Sequence, residues 1–280
     1  MNGMHLVKGH GTGNDFVIMP DLPGRITLSP ALVRALCDRR TGIGADGVLR
    51  VVRTENDSEA QHIAPDAPFF MDYRNADGSI AEMCGNGARV LVAYLQRAGL
   101  VGDRAVIGTR GGVRVAERTP DGQICVEMGA ATVLDVRPRV RVAPQDGELP
   151  GIAVRMPNPH VVVAMPDGRA LAALDLSVPP SVDPSLPEGQ NVEFAAHAGE
   201  RHLVMRVHER GVGETRSCGT GICAVVAAVD QQVTGVWRVD VPGGITHVTR
   251  SSANSMSLTG PAVLVAEIDL DPSWLAAAAG

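Results

Sequence analysis

The sequence predicts two related α+β domains with a cleft between them. Three observations carry this. Short runs rich in Val and Ile alternate with turn signals through both halves of the chain. Each half holds one cysteine in a near-identical setting, Met83-Cys84-Gly85-Asn86-Gly87 and Ser217-Cys218-Gly219-Thr220-Gly221, and each runs straight into a helical stretch. Each half also places an Asn-bearing strand turn, at Asn14 and at Asn158, well ahead of that cysteine. With 280 residues the chain is long enough for two domains on the usual range of roughly 100–200 residues each.

The first segment, His5 to Ile18, reads as strand, Gly-rich turn (Gly11-Thr12-Gly13) and strand. Pro30 to Arg40 has helical spacing at Leu32, Val33, Leu36 and Cys37, with Ser29 as N-cap and Pro30 at the first helical position. Asp46 to Arg53 reads as a strand, and 54–68, polar and Pro-bearing, as a surface loop. A strand at Phe69 to Tyr73 leads through Asn75-Ala76-Asp77-Gly78-Ser79 into the first cysteine motif and its helix. Short strands follow at Ala105–Gly108, Val113–Glu117 and Ile124–Met128. The second half restarts with strands at Ile152–Met156 and Val161–Met165 around Pro157-Asn158-Pro159-His160, then a short helix at Leu171–Leu174 and a Pro-rich connection over 177–190. Strands at Asn191–Ala196 and His202–His208 lead through Glu209-Arg210 to the second cysteine motif, and strands at Val236–Pro242, Gly244–Thr249 and Val263–Asp269 finish the chain.

Composition narrows the function classes. Hydrophobic residues make up 45% and charged residues 20%, as in a globular protein, while aromatics at 3% leave the core to Val, Leu, Ala, Ile and Met. The net charge of -6, with no Lys/Arg run, argues against nucleic acid as partner. No apolar stretch approaches the ~20 residues of a membrane span, and Met1 to Lys8 lacks the layout of a secretory signal. The five cysteines show neither zinc-ligand spacing nor a disulfide framework. A cytoplasmic protein with reduced thiols and no bound metal is expected.

The two cysteine motifs carry the chemistry. Glycines let backbone approach a ligand, and a helix start offers free N–H donors with partial positive charge, which welcomes an anion and favours a thiolate. Two such thiols on opposite faces of one carbon could remove a proton from one side and return one to the other, inverting configuration; a thiol suits both roles because its ordinary pKa of about 8.5 is close to working pH. The α-hydrogen of an amino acid is weakly acidic, so the developing carbanion needs electrostatic stabilisation, which the helix-start amides supply by holding the α-carboxylate. An isolated cysteine is more often a small buried hydrophobe, and Cys37, Cys125 and Cys223 are assigned to packing. Asn14, Asn75, Asn158 and Asn191 occupy turns or strand starts, where asparagine is common for turn reasons alone. Arg210 can clamp a carboxylate and Glu209 receive an ammonium, although an exposed pair of this kind contributes little. His160 could perturb a nearby thiol.

The strings Gly11-Thr12-Gly13-Asn14-Asp15-Phe16, Asn75 through Arg89, Asn158-Pro159-His160 and Glu209 through Gly221 together resemble the diaminopimelate epimerase family, in order and over nearly the whole chain. The resemblance implies a cofactor-independent, two-base epimerisation of LL-2,6-diaminopimelate to the meso form, on the route to lysine and peptidoglycan. It implies that Cys84 and Cys218 are the acid–base pair. Asn14, Asn75, Asn158, Asn191, Glu209 and Arg210 would bind substrate, Gly85-Asn86 and Gly219-Thr220 would hold the α-carboxylate, and His160 and Glu209 would tune the thiols. The implied fold is a pair of pseudo-symmetric α/β domains, each a mostly antiparallel sheet wrapped around a central helix, in a homodimer. Its first domain would span 1–128 with 265–280 returning to it, and its second 129–264. One position departs from the pattern: many members carry Gln where this chain has Gly47, so a substrate contact is missing there.

Two other readings compete. A proline- or hydroxyproline-type racemase would keep both thiols but have no use for recognition of a second amino-acid centre, which Glu209-Arg210 favours. A thiol redox switch or a binding protein without turnover would use the cysteines as a reversible disulfide.

Overall fold

A computed structural model describes residues 4–229, 234–251 and 255–279. Of the terminal segments considered above, residues 1–3 and 280 lie outside the described residues. The chain divides into two compact units: one runs to Val126 and resumes at Pro261, the other spans Glu127–Gly260. The α-helices among the described residues are α1 (Pro30–Cys37), α2 (Gly85–Arg97), α3 (Gly168–Ala172), α4 (Gly219–Val229) and α5 (Pro272–Ala279).

In the first unit a mixed sheet runs, in spatial order, through Val263–Asp269, His5–Gly11, Asn14–Pro20, Gly47–Arg53, Phe69–Asn75, Arg104–Thr109, Gly112–Arg118 and Ile124–Ala130, the last crossing the unit boundary in sequence. Neighbours are antiparallel except at Asn14–Pro20 with Gly47–Arg53 and Phe69–Asn75 with Arg104–Thr109, which are parallel. Helix α2 packs against the strands His5–Gly11, Asn14–Pro20, Gly47–Arg53, Phe69–Asn75, Gly112–Arg118 and Val263–Asp269. It is therefore buried on nearly every side from Gly85 to Ala93. Amphipathic α1 covers another face with Leu32, Val33, Leu36 and Cys37 turned inward, beside Leu6, Val17, Met19 and Leu270. Ser29 caps it, accepting from the Leu32 N–H at 3.2 Å.

The second unit repeats the plan. Leu149–Arg155 pairs antiparallel with Pro159–Ala164, which is parallel to Asn191–Gly199; that strand is antiparallel to His202–Glu209, which is parallel to Gly235–Val241; Gly244–Arg250 and Ser255–Gly260 complete an antiparallel run. Helix α4 packs against Leu149–Arg155, Pro159–Ala164, Asn191–Gly199, Gly244–Arg250 and Ser255–Gly260. Its sequence is apolar all round, as a helix enclosed by sheet must be, and it is buried from Gly219 to Ala228. A second core of Val140, Val161, Val163, Leu171, Leu176 and Phe194 lies against α3.

Several elements differ from the sequence reading in extent. Helix α1 stops at Cys37 because Asp38 is extended (φ -62°, ψ 123°), and its carboxylate accepts from the N–H groups of Arg40 (2.8 Å) and Thr41 (2.6 Å). Helix α3 begins earlier, at Gly168, because Asp167 caps it through the Ala170 N–H at 2.8 Å. The 54–68 segment carries two 3₁₀ turns, Thr54–Asn56 and Gln61–Ile63. The connection over 177–190 holds a short strand, Ser181–Asp183, paired with Arg139–Arg141. The strand Ser255–Gly260 escaped notice because only Met256 and Leu258 give it an inward face.

Candidate active site

In the first unit the site grows from the Gly11-Thr12-Gly13 turn and the start of α2. Thr12 sits at φ 51° and Gly13 at φ 76°, a left-handed pair of which the β-branched Thr12 is the strained member. This turn delivers Asn14 at the start of its strand. Cys84 is the N-cap of α2, extended at φ -137°, with its sulfur accepting from the Gly87 N–H at 3.3 Å. Its Sγ lies 3.8 Å from Asn14 Oδ1, and Asn86 Nδ2 donates to the same oxygen at 3.1 Å. Asn14 Nδ2 donates to Asp46 Oδ2 at 2.7 Å. Arg89, fully buried one turn into α2, donates from Nη2 to Asn86 Oδ1 (2.9 Å) and Thr12 Oγ1 (3.1 Å).

Around this network Asp15 receives Lys8 (2.6 Å) and a bidentate Arg39 (2.7 and 3.0 Å). Burial works against its charge, but the hydrogen bonds from Arg39 and Lys8 hold the Asp15 carboxyl well below the usual carboxylate range. Asp46 goes the other way, raised by burial and by the charge of Asp15 against the hydrogen bond from Asn14. Asn75 closes its own turn, with Nδ2 donating to Ser79 Oγ at 3.0 Å.

In the second unit Cys218 is buried just ahead of α4, and Asn191 Nδ2 donates to its sulfur at 3.7 Å. The Thr220 hydroxyl is 3.5 Å from the sulfur, and the Gly221 N–H is directed at it. Asn191 Oδ1 accepts from the Arg210 N–H at 2.9 Å, which fixes the amide so that its nitrogen faces Cys218. Burial pushes the Cys218 thiol well up, and the carboxylates of Glu209 and Glu193 add to this. Glu209 is itself raised by burial, opposed by hydrogen bonds from Thr215 and Cys218. Behind them His160 and Glu193, both fully buried, pair Nδ1 with Oε1 at 2.7 Å, while His160 Nε2 lies 3.0 Å from Asn158 Oδ1. The second Glu193 oxygen is buried without a hydrogen-bond partner.

The first unit thus gathers Asn14, Cys84 and Asn86, with Gly85 buried beside them; the second gathers Asn191, Glu209, Cys218 and Thr220, with Gly219 buried in the same turn and Asn158 and Glu193 linked through His160. The Arg210 guanidinium is exposed and turned to the Glu188 carbonyl, so only its backbone joins the cluster. Sequence reasoning assigned no role to Asp46, Arg89 or Glu193. The one legible signal was Glu193, a lone charge inside the apolar run Asn191–Ala196.

The structure accounts for Gly47. A Cβ there would stand 2.5 Å from the Arg74 carbonyl oxygen and 2.7 Å from the Tyr73 ring, which lies edge-on to Phe16 at 5.9 Å. No side chain fits at this position without movement of the neighbouring strand. Among the described residues no group of three or more His, Cys, Asp or Glu is arranged to hold a metal, and no helix is long and apolar enough to cross a membrane.

Comparison with known proteins follows the same lines. The family profile described as diaminopimelate epimerase matches residues 6–134 and 152–265. The diaminopimelate epimerase of Streptomyces coelicolor is 50% identical over 282 residues, covering 96% of each chain. That of Thermobifida fusca is 49% identical over 279 residues, covering 97% of this chain and all of its own. Among solved structures, a probable proline racemase from Agrobacterium radiobacter superposes with a TM-score of 0.69 at 15% identity, covering 97% of this chain and 95% of that one. A phenazine biosynthesis protein of the PhzF family from Bacillus anthracis gives 0.68 at 16%, covering 96% and 99%. These two share the two-domain α+β fold. Sequence identity near one half over the full length goes further: the chain belongs to the diaminopimelate epimerase family.

Proposed function

We propose that this chain epimerises LL-2,6-diaminopimelate to the meso form without a cofactor, with Cys84 and Cys218 as its two bases. The observation that carries the reading is the pair of thiols at the starts of α2 and α4, each held by an asparagine amide, Asn14 at 3.8 Å and Asn191 at 3.7 Å. Inversion demands a proton acceptor on one face of the α-carbon and a donor on the other. One sulfur, as thiolate, takes the α-hydrogen; the C–H electron pair stays on the carbon as carbanion character delocalised into the carboxylate; the opposite thiol gives its proton to the other face. The reverse reaction exchanges the roles.

The α-carboxylate is held by the N–H groups of Gly85-Asn86 and Gly219-Thr220, at helix starts where developing negative charge is stabilised. Removing one such donor typically costs ~2.7–4 kcal/mol of barrier. Burial of Cys218 beside Glu209 and Glu193 keeps its thiol protonated until a cation arrives, and the substrate's ammonium, received by Glu209, relieves the local negative charge. Asn75, Asn158, Asn191 and Arg210 complete substrate binding, and His160, held by Glu193, tunes the site. The resemblance also supports a cytoplasmic homodimer serving lysine and peptidoglycan synthesis.

Incubation of reduced protein with LL-diaminopimelate in D₂O tests the reading. Appearance of the meso isomer with one deuterium at the inverted carbon is expected. Folded, reduced protein that yields neither isomer nor exchange would remove diaminopimelate as substrate.

A further inference from the structure

The first turn of α2 places Asn86 and Arg89 three residues apart on one helix face, both fully buried. A guanidinium carries only donors and remains charged, so Asn86 can meet Arg89 only with its oxygen, at 2.9 Å. The Asn86 nitrogen is then committed to Asn14 Oδ1, at 3.1 Å. The other end of Asn14 donates to Asp46, at 2.7 Å. Two amides are therefore oriented from both ends, by a cation at one and a carboxylate at the other. The outcome is that Asn14 shows Cys84 its carbonyl oxygen. Arg89 also binds the Thr12 hydroxyl at 3.1 Å, and so ties the left-handed residue of the Gly-rich turn to the helix that carries the thiol.

We propose that Arg89 is a positioning residue for the reaction: its buried guanidinium fixes the Asn86–Asn14 amide chain so that an acceptor faces the Cys84 thiol and the first-turn N–H groups face the substrate carboxylate. The inference rests on the two-thiol reading above. Arg89 acts through Asn86 and Asn14, the two amides that lead from it to the thiol. Without a donor at this place the Asn86 oxygen loses its cation and the amide is oriented only through Asn14, so both side chains can shift from their posts beside the reacting sulfur.

The test compares Arg89→Lys, Arg89→Gln and Arg89→Met in the full chain, each with its melting temperature and steady-state kinetics. Lys and Gln keep an N–H donor for Asn86 Oδ1, Lys with the charge and Gln without it; Met keeps neither. We expect Met to lower kcat ~10–100-fold, as loss of a buried orienting partner does, with KM changed by less than about threefold. Lys and Gln should stay within about fivefold of wild type. A Gln variant as slow as Met would mean that charge, and not amide orientation, is what matters, and would overturn the proposal; so would equal kcat in all three. A kcat that merely follows the melting temperature across the series would also overturn it. Should Arg89→Met not fold, folded Arg89→Gln with kcat under about a tenth of wild type is enough to reject the proposal. Cys84→Ala separates the two levels: if it retains turnover, the two-thiol reading falls, whereas a dead Cys84→Ala beside an unaffected Arg89→Met removes only the role of Arg89.

Discussion

Two sulfurs in similar motifs sit in different electrostatic settings. Cys84 is half-buried and faces an amide oxygen; Cys218 is buried, faces an amide nitrogen, and has two carboxylates near it. Replacing Glu193 with Gln keeps an acceptor for His160 but removes one negative charge from the surroundings of Cys218. Alkylation of Cys218 should then proceed at lower pH than in wild type, read by mass spectrometry across a pH series; an unchanged profile would show that the Glu193 charge does not reach the sulfur. Cys37 makes the opposite case. Burial pushes its thiol up to about 12, so it should stay unlabelled by iodoacetamide at pH 8 in the native protein and react only on unfolding. For the proposed bases, Cys84→Ala and Cys218→Ala should each abolish epimerisation, measured as conversion of LL substrate, because each removes the proton relay on one face.

The strands around the first site explain two further effects. Gly47 begins the strand Gly47–Arg53 with Tyr73 and the Arg74 carbonyl packed over its α-carbon. Placing glutamine there, Gly47→Gln, should therefore lower stability by about 1–3 kcal/mol instead of adding a substrate contact, as overpacked sites do. A denaturant melt checks this, and an unshifted midpoint would show that the neighbouring strand can give way. Asp15, in the strand Asn14–Pro20, draws Lys8 from the adjoining strand and Arg39 from beyond α1. Its folded-state pKa is depressed, so its stabilisation is present above the unfolded carboxylate's range and is lost as pH falls through the lowered value. Asp15→Asn should melt below wild type at neutral pH, and the gap should narrow as pH drops below about 4. Arg39 is more than half exposed, so water screens part of this contribution.

Across the chain the two units share one strand order: parallel pairs fall at the same two places, and the buried helix comes after the fourth long strand in chain order, with the three-residue strand Gly213–Thr215 between them in the second unit. By this correspondence Asn14 matches Asn158, Gly47 matches Asn191, and Asn75 matches Glu209. The amides at the two sulfurs thus come from non-equivalent positions, Asn14 in one unit and Asn191 in the other, and the duplicated plan has been used asymmetrically. The first unit also needs the end of the chain. Val263–Asp269 pairs with His5–Gly11, and the Pro261 carbonyl accepts from Arg89 Nε at 3.4 Å. Ending the chain at Gly260 should leave an open sheet edge and expose α2, giving aggregated protein or a melting temperature well below wild type in a thermal melt.

The cysteine motifs, their helix starts and the strands beside them were legible because they are local: glycines, an N-cap position and alternating apolar residues leave a mark within a few positions. The duplicated strand order was not, since it is defined by hydrogen bonds between segments far apart in the chain, and the two halves no longer share enough residues to show it. Asp46 and Arg89 escaped for the same reason, and Glu193 left only a lone charge in an apolar run as its mark. Each bonds a partner distant in sequence that pairing or helix packing brings near, Asp46 to Asn14, Arg89 to Thr12 and Glu193 to His160. Gly47 shows the difference most plainly. Its identity marks a missing side chain in the sequence, but only the packing of Tyr73 and the Arg74 carbonyl against it explains why none can be there.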